Sequence, residues 1–324
     1  MRVLVLGGTR FIGRAIVEEL LANRHEVLVV HRGETEPPDL RNVPHEHLDR
    51  HDGSMLARTV AAFGPDALVD TRALTRADAD AVLRSVPGSV VLVVLSSMDV
   101  YRAFGSVLDG VESDPVPLDE DSPVRGEGRR YLYRGEREDL HDYEKLDVEP
   151  LYLYRGAVVL RLPMVYGEHD YQRREEFVLR RVRAGRPRIP VGPGTWLSCR
   201  GYVRDVAAAV RLALNVERAA GQVFNLAERS TWSVGGWARE ILRAAGSDAE
   251  LVQVPEPALP ADMDETASIR QHLLVSSAKA ADLLGWEHSD PEEAVRASVR
   301  WHLANPPPDP DLDFSADDRA LSPM

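Results

Sequence analysis

The stretch Gly7-Gly8-Thr9-Arg10-Phe11-Ile12-Gly13 carries the clearest chemical signature in the chain. It lies between a short branched apolar run, Val3 to Leu6, and a segment in which Phe11, Ile12, Ala15, Ile16, Leu20 and Leu21 recur at helical spacing. A glycine turn between a strand and a helix lets the backbone approach a phosphate closely, and the helix N-terminus aims unpaired N–H groups at the anion. Gly7 permits the tight turn and Gly13 the close packing of helix on strand. Residues 7–13 therefore read as a cradle for the pyrophosphate of a dinucleotide.

The next strand-like run, Val27 to Val30, ends in His31-Arg32-Gly33. A site built for NAD usually ends this strand with a carboxylate that binds the ribose 2′-hydroxyl. No acid stands in that place. Arg32 and Arg10, with His31, would instead attract a 2′-phosphate, which points to NADP(H), with NAD as the alternative. The plainer reading of the two arginines is a pair of solvated bases. His45, His47 and His51 also cluster, but their spacing fits no zinc motif; no metal is expected, and they read as a solvated strand edge and loop.

These residues need a scaffold, and the periodicity supplies one. Residues 3–30 form one βαβ unit. Ala67 to Asp70, Val90 to Leu95 and Ala157 to Leu162 read as further buried strands, and Ala77 to Ser85 as a helix. Alternation of this kind predicts an α/β fold, a Rossmann-type doubly wound parallel sheet, with a smaller C-terminal α+β substrate domain. Residues 1–165 and about 201–226 make the dinucleotide-binding part; about 166–200 and 227–304 make the other. Residues 102–130 turn to Pro, Gly, Asp, Glu and Ser and read as a long loop. Helical periodicity returns around Tyr143 to Val148. Helices are expected at 172–184, 203–216, 233–246, 276–284 and 291–304, and a disordered tail over 305–324.

The 324 residues allow a sizeable core, with 44% hydrophobic and 28% charged residues. A net charge of −13 argues against general affinity for nucleic acid or an anionic membrane. The single Cys199 excludes an internal disulfide. The start of the sequence has no signal-peptide pattern and no run is long enough for a membrane helix, so a cytoplasmic location is expected.

The motifs Gly7 to Gly13, Leu95-Ser96-Ser97-Met98-Asp99-Val100-Tyr101, Arg161-Leu162-Pro163-Met164-Val165-Tyr166-Gly167 and Arg200-Gly201-Tyr202-Val203 occur in the order found in extended short-chain dehydrogenases/reductases. The chain resembles that NAD-dependent epimerase/dehydratase family over nearly everything but the tail. GGTRFIG resembles a divergent branch that includes bacterial oxidoreductases and chloroplast stem-loop RNA-binding proteins. That branch puts Arg10 where the middle glycine of the family belongs.

The resemblance implies hydride transfer at a carbon bearing oxygen, with a proton shuttled on that oxygen. It implies roles for Ser97, which would hydrogen-bond the substrate oxygen, and for Lys145, which would bind the nicotinamide ribose and lower the pKa of a tyrosine four residues earlier. His141 occupies that tyrosine position. On a continuous helix Tyr143 would point about 200° away from Lys145; Tyr131 and Tyr133 could substitute only if the loop folded back. Three readings stay open: His141 carries the proton, the chemistry is slow or non-redox, or the protein only binds nucleotide. The resemblance further implies Asp49 for the adenine amino group, with Arg50 beside it, and Pro163 and Val165 at the cofactor. Met98 replaces the acid of sugar-nucleotide 4,6-dehydratases, so that elimination is disfavoured, while Asp99 could still act as acid or base. Asp170, Gln172, Arg173, Arg174 and Arg200 are the candidates for substrate binding, although Arg173, Arg180, Arg181 and Arg183 could equally form one solvated helix face.

The expected protein is an NADP(H)-dependent oxidoreductase or epimerase acting on a sugar nucleotide or another hydroxylated or keto small molecule, as a homodimer. A redox-inactive nucleotide- or RNA-binding relative is the alternative.

Overall fold

The computed structural model describes residues 1–126 and 140–322. Its centre is a seven-stranded, all-parallel sheet. The strands are β1 (Arg2–Leu6), β2 (Glu26–His31), β3 (His45–His47), β4 (Ala67–Asp70), β5 (Val91–Ser97), β6 (Val158–Leu162) and β10 (Val223–Asn225). Their spatial order is β10-β6-β5-β4-β1-β2-β3, so the chain winds outward from β1 in both directions. The central strands are mostly apolar on both faces, and the period of two still decides which residue meets which layer. Val3, Val5, Val27, Val29, Val69 and Val93 pack into one core with α1 (Phe11–Ala22) and α7 (Val203–Ala213). Leu4, Leu6, Leu28, Val30, Leu68 and Val94 pack into the other with α2 (Gly53–Phe63), α3 (Arg76–Ser85) and α5 (Lys145–Tyr154).

The remainder of the chain packs beside the C-terminal ends of the strands. There β7 (Met164–Tyr166) pairs with β9 (Arg200–Tyr202), and β8 (Arg188–Val191) with β11 (Glu250–Gln253). Helices α6 (Glu176–Arg183), α8 (Val234–Ala244) and α10 (Pro291–Ala304) pack together there, while α9 (Ala278–Leu284) lies against α7 and β10. Among the described residues no helix is long and apolar enough to cross a membrane.

Three sequence expectations need correction. The stretch read as a loop from residue 102 begins with a helix, α4 (Arg102–Asp109). Residues 45–47, expected as a solvated strand edge, are the edge strand β3. The helix expected from Tyr143 begins at Lys145, because Glu144 is its N-cap and its carboxylate accepts the Leu146 N–H. The tail is not disordered through residue 322: α11 (Ser315–Leu321) docks on α6, and Asp317 is fully buried there.

That docking also removes the solvated arginine face. Arg181 is fully buried, with Asp262 on one side and Asp317 on the other; Arg180, also buried, pairs with Asp262 and Asp311.

Candidate active site

A cleft of about 1050 Å³ opens where β1 and β2 end. Gly7, Thr9, Arg10, Phe11, Ile12 and Gly13 line it, with His31, Arg32, Asp49 and Arg50 further along. Gly8 lies behind the loop, where a Cβ would stand 2.7 Å from a Val17 methyl. Gly13 has the stricter reason to be glycine: a Cβ there would lie 2.0 Å from the Gly7 carbonyl oxygen, which is backbone and cannot give way. Arg10 caps α1 from an extended backbone conformation, makes no side-chain cap hydrogen bond, and is exposed at the cleft. The first turn of α1 therefore faces the cleft with free N–H groups, a fit for a pyrophosphate.

At the ribose end, the Thr9 and Thr35 hydroxyls are 2.9 Å apart. Arg32 is exposed and pairs at 3.0 Å with Glu34, a cleft-lining acid that the sequence reading passed over. Asp49 lines the cleft and accepts the His51 N–H. Arg50 is committed to a bidentate pair with Asp70 at 3.0 and 3.1 Å, and Asp70 also accepts the Tyr152 hydroxyl. Arg50 therefore acts as cleft wall.

His31, His45 and Glu36 bring ligand atoms within 4.8 Å of one another. Gly33 N–H donates to His31 Nδ1, which leaves the His31 proton on Nε2, 3.0 Å from His45 Nδ1. His45 Nε2 in turn lies 2.9 Å from the Leu40 carbonyl. Both imidazole lone pairs are spent within this chain of hydrogen bonds.

The catalytic candidates gather where β5 ends. The Ser97 hydroxyl accepts the Asp99 N–H. Asp99 is buried, and burial pushes its carboxyl up from the usual range. Its Oδ2 accepts the Tyr143 phenol at 2.7 Å. Lys145 is buried beneath, donating from Nζ to the Ala73 and Leu95 carbonyls at 2.7 and 2.9 Å. Its Nζ is 5.7 Å from the Tyr143 ring centroid. Burial lowers the Lys145 pKa to about 8, against the opposing pull of Asp99, Asp70 and Glu149.

The geometry changes the roles open to Tyr143 and His141. Tyr143 precedes the helix, so the 200° argument does not apply, and its phenol turns back into the site. His141 is exposed in a turn, without the i, i+4 relation to Lys145 that a helix would give. Tyr131 and Tyr133 lie outside the described residues. Two groups missed by the sequence reading hold the arrangement: Arg125 is buried, bonds the Asp99 carbonyl at 2.7 Å and grips Glu144 at 2.7 and 3.0 Å. Arg125 sits in a Pro-, Asp- and Ser-rich stretch with no periodic signal, so composition could not have found it.

Pro163 and Val165 sit beside β9, outside the cleft lining. Arg173 is held by the Asn305 carbonyl at 2.7 Å, and Asp170 is buried, accepting the Gln172 and Arg174 N–H groups. Arg200 differs. It is buried over the Trp237 ring, donates from one nitrogen to the Trp232 carbonyl, and has no partner among the described residues for Nε and Nη2. Its neighbour Cys199 touches the Met98 sulfur at 3.6 Å, which ties Arg200 to the Ser97–Asp99 turn.

A buried pair close to the loop that follows β7 carries a pH prediction. Burial raises Glu175 to about 7, while burial lowers His302, 3.5 Å away, to about 4. A carboxyl whose folded pKa is raised contributes stability that is full below about 4.5 and lost as pH rises through about 7. Glu175→Gln keeps an oxygen for the Ser298 hydroxyl and carries no charge. It is expected to be more stable than the parent at pH 8, by roughly 2–3 kcal/mol, with no gain at pH 4.5. Denaturant midpoints at the two pH values check it; equal midpoints at pH 8 would contradict it.

Sheet order, glycine turn and cleft together define a Rossmann-type α/β fold. Residues 3–87 match the NAD dependent epimerase/dehydratase family. The chloroplast stem-loop binding protein of 41 kDa b of Arabidopsis thaliana is 27% identical over 342 residues, covering 99% of this chain and 84% of that protein. The 2′-dehydrokanamycin reductase of Streptomyces kanamyceticus is 38% identical over 98 residues, 30% of this chain and 28% of that one. Among solved structures, UDP-glucose 4-epimerase from Bifidobacterium longum, in complex with NAD+ and UDP, superposes with a TM-score of 0.70 at 18% identity, covering 94% of this chain and 99% of that one. At that identity the likeness establishes the fold.

Proposed function

We propose that this protein is an NADP(H)-dependent oxidoreductase or epimerase whose substrate is a sugar nucleotide or a similar anionic, hydroxylated small molecule. One observation carries the reading: the Ser97 hydroxyl, the Tyr143 phenol and the buried Lys145 converge at the end of β5, beside the inner wall of the nucleotide cleft. A bound nicotinamide would supply the site that gives or takes a hydride. Tyr143 moves the proton on the substrate oxygen, in the role the sequence reading offered to His141. Lys145 beneath it favours the phenolate, and Ser97 holds the oxygen. Asp99 positions the phenol and takes the proton when Tyr143 is deprotonated. Arg200, buried with two nitrogens unpartnered, is the receptor for the substrate's phosphates. A homodimer would cover α4 and α5, where Leu108 and Tyr154 are 72% and 92% exposed.

The test is to identify nucleotide released on denaturation by mass spectrometry, and to titrate the stripped protein with NADPH and NADH. It continues with a panel of UDP- and dTDP-sugars, following nicotinamide absorbance and product identity. Failure to bind either nucleotide overturns the reading and leaves the stem-loop-binding relative as the better guide.

The preference for the 2′-phosphate makes its own prediction. Glu34 competes for Arg32, so a 2′-phosphate must displace it. Glu34→Gln is expected to tighten NADPH binding by about three- to tenfold, worth about 0.6–1.4 kcal/mol, and to leave NADH unchanged. Calorimetry with both nucleotides decides; equal effects on the two would place Glu34 away from the 2′ position.

A further inference from the structure

We infer that Tyr171, from the loop that follows β7, is a cofactor-binding residue that closes over the pyrophosphate and sets how long the dinucleotide is retained. The inference rests on the reading of the cleft as a dinucleotide site. Among the described residues, Tyr171 is the one cleft-lining residue contributed from beyond β7; every other lies before residue 79. Its ring meets Phe11 edge to face, with centroids 6.3 Å apart and planes at 86°. Phe11 is the first residue of α1, where the pyrophosphate would lie, and its φ of 38° shows how tightly the cradle turns.

The loop behind Tyr171 is built to hold it there. Gly167, His169 and Arg173 have φ of 139°, 63° and 50°. Left-handed conformations at the two non-glycine positions persist only where surrounding contacts fix them. The contacts come from both sides. His302 Nε2 lies 3.1 Å from the Gly167 carbonyl, His169 packs on Trp301 with ring centroids 4.5 Å apart, and Arg173 is tied to Asn305. The buried Asp170 carboxylate accepts the Gln172 and Arg174 N–H groups on either side of the turn. Glu168 accepts the Tyr202 hydroxyl. Between those anchors Tyr171 stands 52% exposed, its hydroxyl without a hydrogen bond among the described residues. A half-exposed aromatic ring held over a phosphate cradle by a strained, well-anchored loop has a binding use: the ring covers the anion and the phenol donates to it.

The consequence is kinetic. A dinucleotide seated on residues 7–13 leaves only when the Tyr171 ring swings off Phe11, so the residue governs dissociation rather than encounter. Retention between turnovers suits an enzyme that regenerates its cofactor within each cycle, as an epimerase does; ready exchange suits a reductase.

The experiment is stopped-flow displacement of NADPH by excess NADP+, read by NADPH fluorescence, for the parent, Tyr171→Phe and Tyr171→Ala. Tyr171→Ala is expected to raise the dissociation rate tenfold or more with the association rate within twofold. Tyr171→Phe, which keeps the ring and loses the phenol, falls between. Dissociation within twofold of the parent for Tyr171→Ala overturns the assignment, as does a change confined to association. Binding by the parent is measured first: a parent that binds no dinucleotide defeats the cofactor reading itself, whereas a binding parent with an indifferent Tyr171→Ala defeats only this inference. Thermal midpoints without nucleotide, expected to agree among all three, separate lost closure from lost fold.

Discussion

Tyr143→Phe is expected to lower kcat by about 10²–10⁴-fold in the proposed reaction, the range general acid–base groups contribute. NADPH affinity is expected to stay within twofold. The hydroxyl removed is the one that Asp99 Oδ2 accepts at 2.7 Å, above a lysine whose burial lowers it to about 8. The ring is kept, so packing against Lys145 survives and the loss reports the proton-transfer step. The effect should fall on kcat and kcat/KM alike, as it does for an interaction made in the transition state. His141→Ala provides the contrast: its side chain is exposed, and the variant is expected to keep kcat within twofold. A Tyr143→Phe enzyme with parental kcat, or a His141→Ala enzyme that loses it, would return the proton to His141.

This disagreement between sequence and structure over two residues shows which signals are local. The cradle was legible because its determinants are local: an apolar run, glycines with defined steric duties, and a helical apolar stripe fall within twenty residues. The central strands were legible for the same reason, as they announce themselves by apolar branched runs such as Val91 to Leu95. The direction of Tyr143 depends on where α5 begins. That boundary is set by Glu144, whose N–H bonds the Leu74 carbonyl and whose carboxylate is gripped by Arg125. Both partners are remote in sequence, and neither leaves a periodic trace. Helical spacing alone continues the helix back through Tyr143 and assigns its face wrongly. Glu34 was missed for a different reason: the expected acid belongs at the strand end, whereas this one reaches Arg32 from two residues further on.

The tail is the other place where a hydropathy argument fails, and it makes the largest stability prediction. Residues 305–322 have little apolar surface to bury, so composition favours disorder. What docks them is charge. Arg181, fully buried, donates to both oxygens of Asp317 at 2.7 Å and to those of Asp262 at 2.7 and 3.0 Å; Phe314 lies against Arg180 and Arg186. Such a network need not be worth more than an apolar replacement, but removing one member leaves the others desolvated and unpaired. Arg181→Met is therefore expected to cost about 3–5 kcal/mol, read as a fall of roughly 5–10 °C in the thermal midpoint. Adding Asp317→Leu removes the stranded carboxylate, and the double variant should recover part of that loss, a coupling visible only if the two groups interact. Deleting residues 306–322 should cost less than Arg181→Met, because water then reaches the guanidinium that the deletion uncovers. A loss below 1 kcal/mol for Arg181→Met, or a double variant no better than the sum of the singles, would mean that the tail rests on α6 without being fastened to it.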